Sequence, residues 1–159
     1  MFSPDRDAFR KAAASGANLI PLAQSWPADL ETPLTTWIKV GANHPPGVLL
    51  ESVEGGETLG RWSVIACDPL WTASARGNQL IRRWRDGRED SLEGNPLQSL
   101  RTWLNPYECV NLPGLPPLGQ IYGMWGYELI QWIEPTVPVH PRLSSDPPDG
   151  IWMMIDIQM

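Results

Sequence analysis

The chain has 159 residues, with 12 Lys and Arg against 18 Asp and Glu, a net charge of −6 and 19% charged residues. That length suits one domain around a single core, and the acidic balance disfavours nucleic acid or an anionic membrane as partner. There is no 18-residue apolar span, and MFSPDRDAFRK at the start carries acids where a secretory signal needs an apolar core, so neither a membrane span nor a leader is expected.

In chain order, Ser3-Pro4-Asp5 predicts a helix start with Ser3 as N-cap, proline in the first turn and an acid behind it. Ala8, Phe9, Ala12 and Ala13 follow at helical spacing and Gly16 is the stop. Leu19 to Ala23 reads as a short strand, which Pro21 confines to an edge. Thr32-Pro33 opens a second helix with the apolar stripe Leu34, Trp37 and Ile38, closed by Gly41.

Next come two apolar runs, Val48 to Leu50 and Trp62 to Ala66, joined by a polar glycine-rich link. The first is expected to be a buried strand. Trp71 to Arg76 and Gln79 to Arg85 then flank Gly77-Asn78, a two-residue hairpin loop. The loop sets Ala75 opposite Leu80, Ala73 opposite Arg82 and Trp71 opposite Trp84. Trp71, Ala73, Ala75, Leu80 and Trp84 then share the inner face, with Arg82 an exception inside and Ile81 an exception outside. Arg82, Arg83, Arg85 and Arg88 form a basic cluster, expected as a solvated face of this strand pair.

Asn95-Pro96 starts a third helix with Leu97, Leu100 and Leu104 on its buried stripe. The glycines at 119, 123 and 126 lack phosphate-loop spacing. They predict close backbone approach, or positive φ, where a strand turns into a short helix over Tyr127 to Ile133. Pro135 to Pro148 is irregular. Ile151 to Ile157 is a strand whose first five residues are apolar on both faces, which predicts a sheet interior covered on two sides. Only two residues follow it, and the chain is expected to be part of a larger protein. The whole reads as α+β: an antiparallel or mixed sheet with a meander and three to four short helices.

The chemistry concentrates around the two apolar runs. Glu51 and Ser52 end the first and Arg61 precedes the second. A carboxylate, a hydroxyl and a guanidinium around an apolar floor suit a small zwitterion: the carboxylate takes an ammonium, the cation a carboxylate, the floor a side chain. The plain alternative is a solvated strand-end charge beside a Gly55-Gly56 turn. Cys67 and Cys109 have no third cysteine and no histidine at ligand spacing, and are expected as thiols in a reducing, cytoplasmic compartment. His44 and His140 sit among prolines without a partner that completes a catalytic set. No catalytic residue and no metal site is expected in this chain.

Five stretches carry a resemblance: Asn18-Leu-Ile-Pro21, Asp29-Leu-Glu-Thr-Pro33, Leu49-Leu-Glu-Ser52, Gly60-Arg-Trp-Ser63 and Gly123 through Glu128. In order and spacing, across nearly the whole chain, they resemble the N-terminal domain of anthranilate synthase component I, a chorismate-utilising enzyme family. Trp62 stands where that family usually has Tyr, and Gln120 and Met124 replace a usual Gly and Tyr. The resemblance implies one half of a two-lobed enzyme that makes anthranilate from chorismate with ammonia from a glutamine amidotransferase subunit, component II. It implies that chorismate and magnesium bind in the C-terminal domain, which this chain lacks, and that residues 1–159 are the regulatory half, without catalysis of their own. Leu50, Glu51 and Ser52, with the position of Trp62, then line a pocket for the end product, tryptophan; Arg61 stays a candidate from the residues alone. Two other readings compete: the N-terminal domain of para-aminobenzoate synthase component I, and a non-enzymatic aromatic-rich binding module suggested by nine tryptophans.

Overall fold

Two antiparallel sheets carry the fold in the computed structural model, which describes residues 2–51, 62–111, 121–139, 141, 143 and 145–159. The order is α1 (Arg6–Ala14), α2 (Pro33–Val40), β1 (Gly47–Glu51), β2 (Ser63–Cys67), β3 (Trp71–Arg76), β4 (Gln79–Trp84), β5 (Glu89–Glu93), α3 (Pro96–Leu104), β6 (Ile121–Trp125), a 3-10 helix (Tyr127–Trp132) and β7 (Gly150–Met154). Strands β1 and β2 form a hairpin. The other five make one sheet in the order β5-β4-β3-β7-β6. This is an α+β fold, as the sequence predicts.

The β3–β4 hairpin has the predicted register, with Ala75 opposite Leu80, Ala73 opposite Arg82 and Trp71 opposite Trp84. Gly77 supplies the positive φ of 58° that opens its two-residue loop. The inner face packs on α3, where Trp71, Ala73, Ala75 and Leu80 meet Leu100, Trp103, Trp152 and Met154 in the core. The buried stripe of α3 is Pro96, Ser99, Leu100 and Trp103 rather than Leu97, Leu100 and Leu104. Trp103 is the larger knob, so its burial rotates the helix and leaves Leu97 and Leu104 at the margin.

The inward Arg82 has a physical reason. Its guanidinium lies 5.6, 4.6 and 4.4 Å from the ring centres of Trp71, Trp84 and Trp103 and is closed off by a two-pronged bond to Asp90 at 2.9 and 2.5 Å. A weakly hydrated planar cation stacked on aromatic faces and paired with a carboxylate is tolerated where an ammonium is not. The rest of the basic cluster is indeed exposed, but each member has an acid: Arg83 with Glu89, Arg85 with Asp156, Arg88 with Asp86.

The Arg82 hydrogen bonds hold the Asp90 carboxyl below its ordinary range, against an opposing push from burial. A carboxyl whose folded pKa lies below its unfolded value of about 3.9 contributes stability above that value and loses it as pH falls through the folded pKa. Chemical denaturation between pH 6 and pH 2 is therefore expected to show the unfolding midpoint dropping below about pH 4. Asp90→Asn should flatten part of that drop; an unchanged slope in the variant contradicts the assignment.

Several predictions at the edges need correction. Asp5, not Ser3, caps α1, accepting from the Ala8 amide at 2.8 Å. Ser3 instead exchanges two backbone bonds with Ala23, at 2.8 and 2.7 Å, so it is already committed. Residues 19–23 form no strand; Leu19 and Ala23 make single bridges to Cys109 and Ser3, with donorless Pro21 between them. In α2 the cap is as expected, Thr32 and Thr35 forming a reciprocal capping box before Pro33. Its stripe is not: Leu34 and Ile38 are more than half exposed, and Trp37 alone turns inward. Strand β7 stops at Met154 and lies between β3 and β6, but only one of its faces is covered. Trp152 and Met154 are buried while Ile151 is 43% exposed.

Gly123 shows the predicted close approach, since a Cβ there would lie 2.2 Å from the Trp152 ring and 2.5 Å from the Ile151 carbonyl oxygen. The helix that follows β6 is of the tighter 3-10 type. No described helix is long and apolar enough to cross a membrane.

Candidate functional site

The β1–β2 hairpin brings the two ends of the chemical stretch together. Its register sets Gly47 opposite Cys67, Leu49 opposite Ile65, Leu50 opposite Val64 and Glu51 opposite Ser63. At the Gly47 end α2 covers it. The Trp37 ring lies where side chains on Gly41 or Gly47 would stand, 2.2 and 2.8 Å from their built Cβ positions, so both glycines make room for one indole. The Cys67 thiol reaches the Val40 carbonyl at 3.6 Å, and burial pushes its pKa up.

At the other end the hairpin is open. Leu50 is 48% and Trp62 41% exposed, and Glu51 is exposed as well. The first run is thus not a buried strand; burial on the hairpin falls on Ile65 and Ala66 of β2. Because side chains alternate along a strand, Leu50 and Glu51 point to opposite faces. Glu51 shares its face with Ser63, whose Cβ stands about 5 Å away in such a pair. The structure therefore places Leu50, Glu51 and Trp62 at one strand end, while Ser52 and Arg61 lie outside the described residues. Ser63 is the polar partner that sequence reasoning passed over. The hairpin pairing was its signal, since Trp62 to Ala66 counted back from Val48 to Leu50 leaves Glu51 facing it.

A carboxylate beside a hydroxyl is suited to bind an ammonium, and the half-exposed Trp62 next to Ser63, with Leu50 on the other face of β1, makes the rim of that strand end apolar. Among the described residues no group of three or more His, Cys, Asp or Glu is placed to hold a metal ion.

A second concave feature lies further along β1. A groove of about 450 Å³ separates Pro46, Gly47 and Val48 from the outer face of the large sheet, where Thr72, Ile151 and Met153 line it. It starts three residues from Glu51, at Val48, roughly 10 Å along the strand. Its walls are mainly apolar, with the hydroxyls of Thr72, Ser74 and Tyr122 and one cation, Arg83, which is paired with Glu89.

No family model matches the chain. It is similar to curated proteins named anthranilate synthase component 1. One from Synechocystis sp. is 50% identical over 157 residues, covering 98% of this chain and 31% of that protein. One from Acetivibrio thermocellus is 37% identical over 141 residues, 87% of this chain and 28% of the relative. One from Pseudomonas putida is 35% identical over 158 residues, 96% of this chain and 31% of the relative. The chain thus spans about a third of the length of the relatives it matches.

Proposed function

The chain belongs to the anthranilate synthase component 1 family, and we propose from that premise that it is the N-terminal regulatory part of a cytoplasmic enzyme that converts chorismate to anthranilate. In this reading residues 1–159 bind L-tryptophan as a feedback inhibitor. Chorismate and magnesium belong to a chorismate-binding domain beyond the matched third, and ammonia comes from an amidotransferase partner, component II. The chain alone has no synthase activity. The names of its relatives favour this branch over para-aminobenzoate synthesis.

One observation carries the regulatory part of the reading: the open end of the β1–β2 hairpin gathers Glu51, Ser63, Leu50 and Trp62. The tryptophan ammonium is assigned to Glu51 as a charge-assisted hydrogen bond, with the Ser63 hydroxyl opposite. The indole is assigned to the end of the hairpin, where Trp62 adjoins Ser63 and Leu50 borders it from the other face of β1. Ser52 and Arg61 are assigned by sequence alone, as a further polar contact and as the counter-charge for the ligand carboxylate.

With one wall only, binding is expected to be weaker than in a complete enzyme by about 2–4 kcal/mol, at ~25 cal/mol per Å² of apolar surface left uncovered. Calorimetric titration of the chain with L-tryptophan, and with L-phenylalanine as control, tests this. Saturable binding of L-tryptophan in preference to L-phenylalanine is the expected outcome. No heat at millimolar L-tryptophan, or no preference, removes the regulatory reading.

A further inference from the structure

After β7 the chain leaves the large sheet and becomes the third member of the β1–β2 hairpin. Met159 and Ile65 exchange both backbone bonds, at 2.7 and 2.8 Å, and Gln158 bridges to Ala66. Strand β2 therefore has β1 on one side and residues 158–159 on the other. Two side chains pin this segment to the large sheet. The Tyr122 hydroxyl of β6 donates to Gln158 Oε1 at 2.5 Å, and Arg85, at the end of β4, pairs with Asp156 at 2.7 Å. What holds the segment is polar rather than apolar: Ile155 is buried, but Asp156, Ile157 and Met159 are exposed.

We propose that residues 156–159 are a coupling strap that sets the hairpin against the large sheet, with Tyr122 as the positioning residue acting through Gln158. A segment held by hydrogen bonds with little burial opens at low free-energy cost. It thus has a docked and an undocked arrangement. When docked, it fixes β2 at Ile65, two residues from Ser63 and directly opposite Leu49. A ligand across Glu51 and Ser63 needs β1 and β2 in register at that point, so it binds the docked arrangement better and shifts the strap towards it. By linkage, the ligand tightens the strap by the same factor by which it prefers the docked arrangement. Strand β6 feels the occupancy through Tyr122, which pairs with Met153 of β7. The ligand half of this proposal rests on the tryptophan reading above; the mechanical half does not.

The test is amide hydrogen exchange on the 159-residue chain, its Tyr122→Phe variant and its Gln158→Ala variant, with and without L-tryptophan. Without ligand, the Ile65 and Met159 amides are expected to exchange roughly 3- to 10-fold faster in both variants, as the loss of one hydrogen bond implies. The β3–β4 amides should stay unchanged, which separates a loosened strap from a damaged fold. With L-tryptophan, both amides slow in the wild type and slow by the same factor in the variants, because the ligand prefers the docked arrangement in each. Unaltered Ile65 and Met159 exchange in both variants overturns the strap. So does bound L-tryptophan that protects Glu51 but not Met159. If L-tryptophan fails to bind the wild type, the tryptophan reading falls, while the ligand-free rates decide the strap on their own.

Discussion

Trp71→Ala is expected to cost about 3–5 kcal/mol, the range for emptying a large aromatic site in a core. Trp71 is fully buried and stands edge-on to Trp84 and Trp103, each with its ring centre 6.5 Å away. Such pairs add about 0.5–1.5 kcal/mol each beyond area, and the third neighbour is the Arg82 guanidinium. Truncation would leave that cation facing a void and weaken three elements at once. Against a total stability of about 5–15 kcal/mol, this is a large share. Trp71→Phe should be much milder. The indole N–H of Trp71 has no hydrogen-bond partner among the described residues, so losing it relieves about 1–3 kcal/mol of unmet donor cost. Urea unfolding midpoints of the three proteins decide the matter. An alanine variant within about 1 kcal/mol of wild type would mean that the tryptophan cage is not the centre of the core.

The second large effect concerns the ligand. Glu51→Ala removes the acceptor assigned to the tryptophan ammonium, and hydrogen bonds to charged groups are worth about 1.5–3 kcal/mol. L-tryptophan affinity should therefore fall roughly 10- to 100-fold. Glu51→Gln keeps an oxygen but loses the charge and should fall in between. Ser63→Ala removes a neutral partner and should cost roughly 3- to 10-fold. Both residues are exposed or half-exposed strand positions, so stability should scarcely change. In a complete synthase carrying this sequence as its N-terminal part, Glu51→Ala or Ser52→Ala is expected to displace the tryptophan inhibition curve to higher concentration while uninhibited turnover stays the same. Inhibition curves that superimpose on wild type in both variants would reduce the open hairpin end to structural framework.

What was readable in the sequence follows from how local the physics is. The β3–β4 register was legible because a two-residue loop and a period-2 pattern fix the same pairing independently. The exception at Arg82 was visible, but its reason was not. One ring of the cage, Trp103, arrives on a helix that no local pattern ties to β4. The cap of α1 was misplaced because Ser3 and Asp5 are both good caps, and the choice was made by Ala23, distant in sequence. The two-sided cover over β7 was overread, for an apolar pattern reports what a face prefers, not what touches it. The meeting of Leu50, Glu51 and Trp62 was legible as the two ends of one connection. That alternation sends Leu50 and Glu51 to opposite faces was equally available and went unused.

The position of β7 has a kinetic meaning. Strand β3 pairs on one side with the strand that immediately follows it and on the other with β7, which is synthesised after α3 and β6. Residues 71–104 can assemble from neighbours alone, whereas the other edge of β3 must wait for a long loop to close, and non-local pairing is the slow step of β folding. Until then a strand edge flanked by buried tryptophan is open to any other nascent chain, the usual route to misassembly. The β1–β2 hairpin waits longer still, because its third partner, Met159, follows all seven described strands. The hairpin end that carries Glu51 is thus later to settle than the β3–β4 pair.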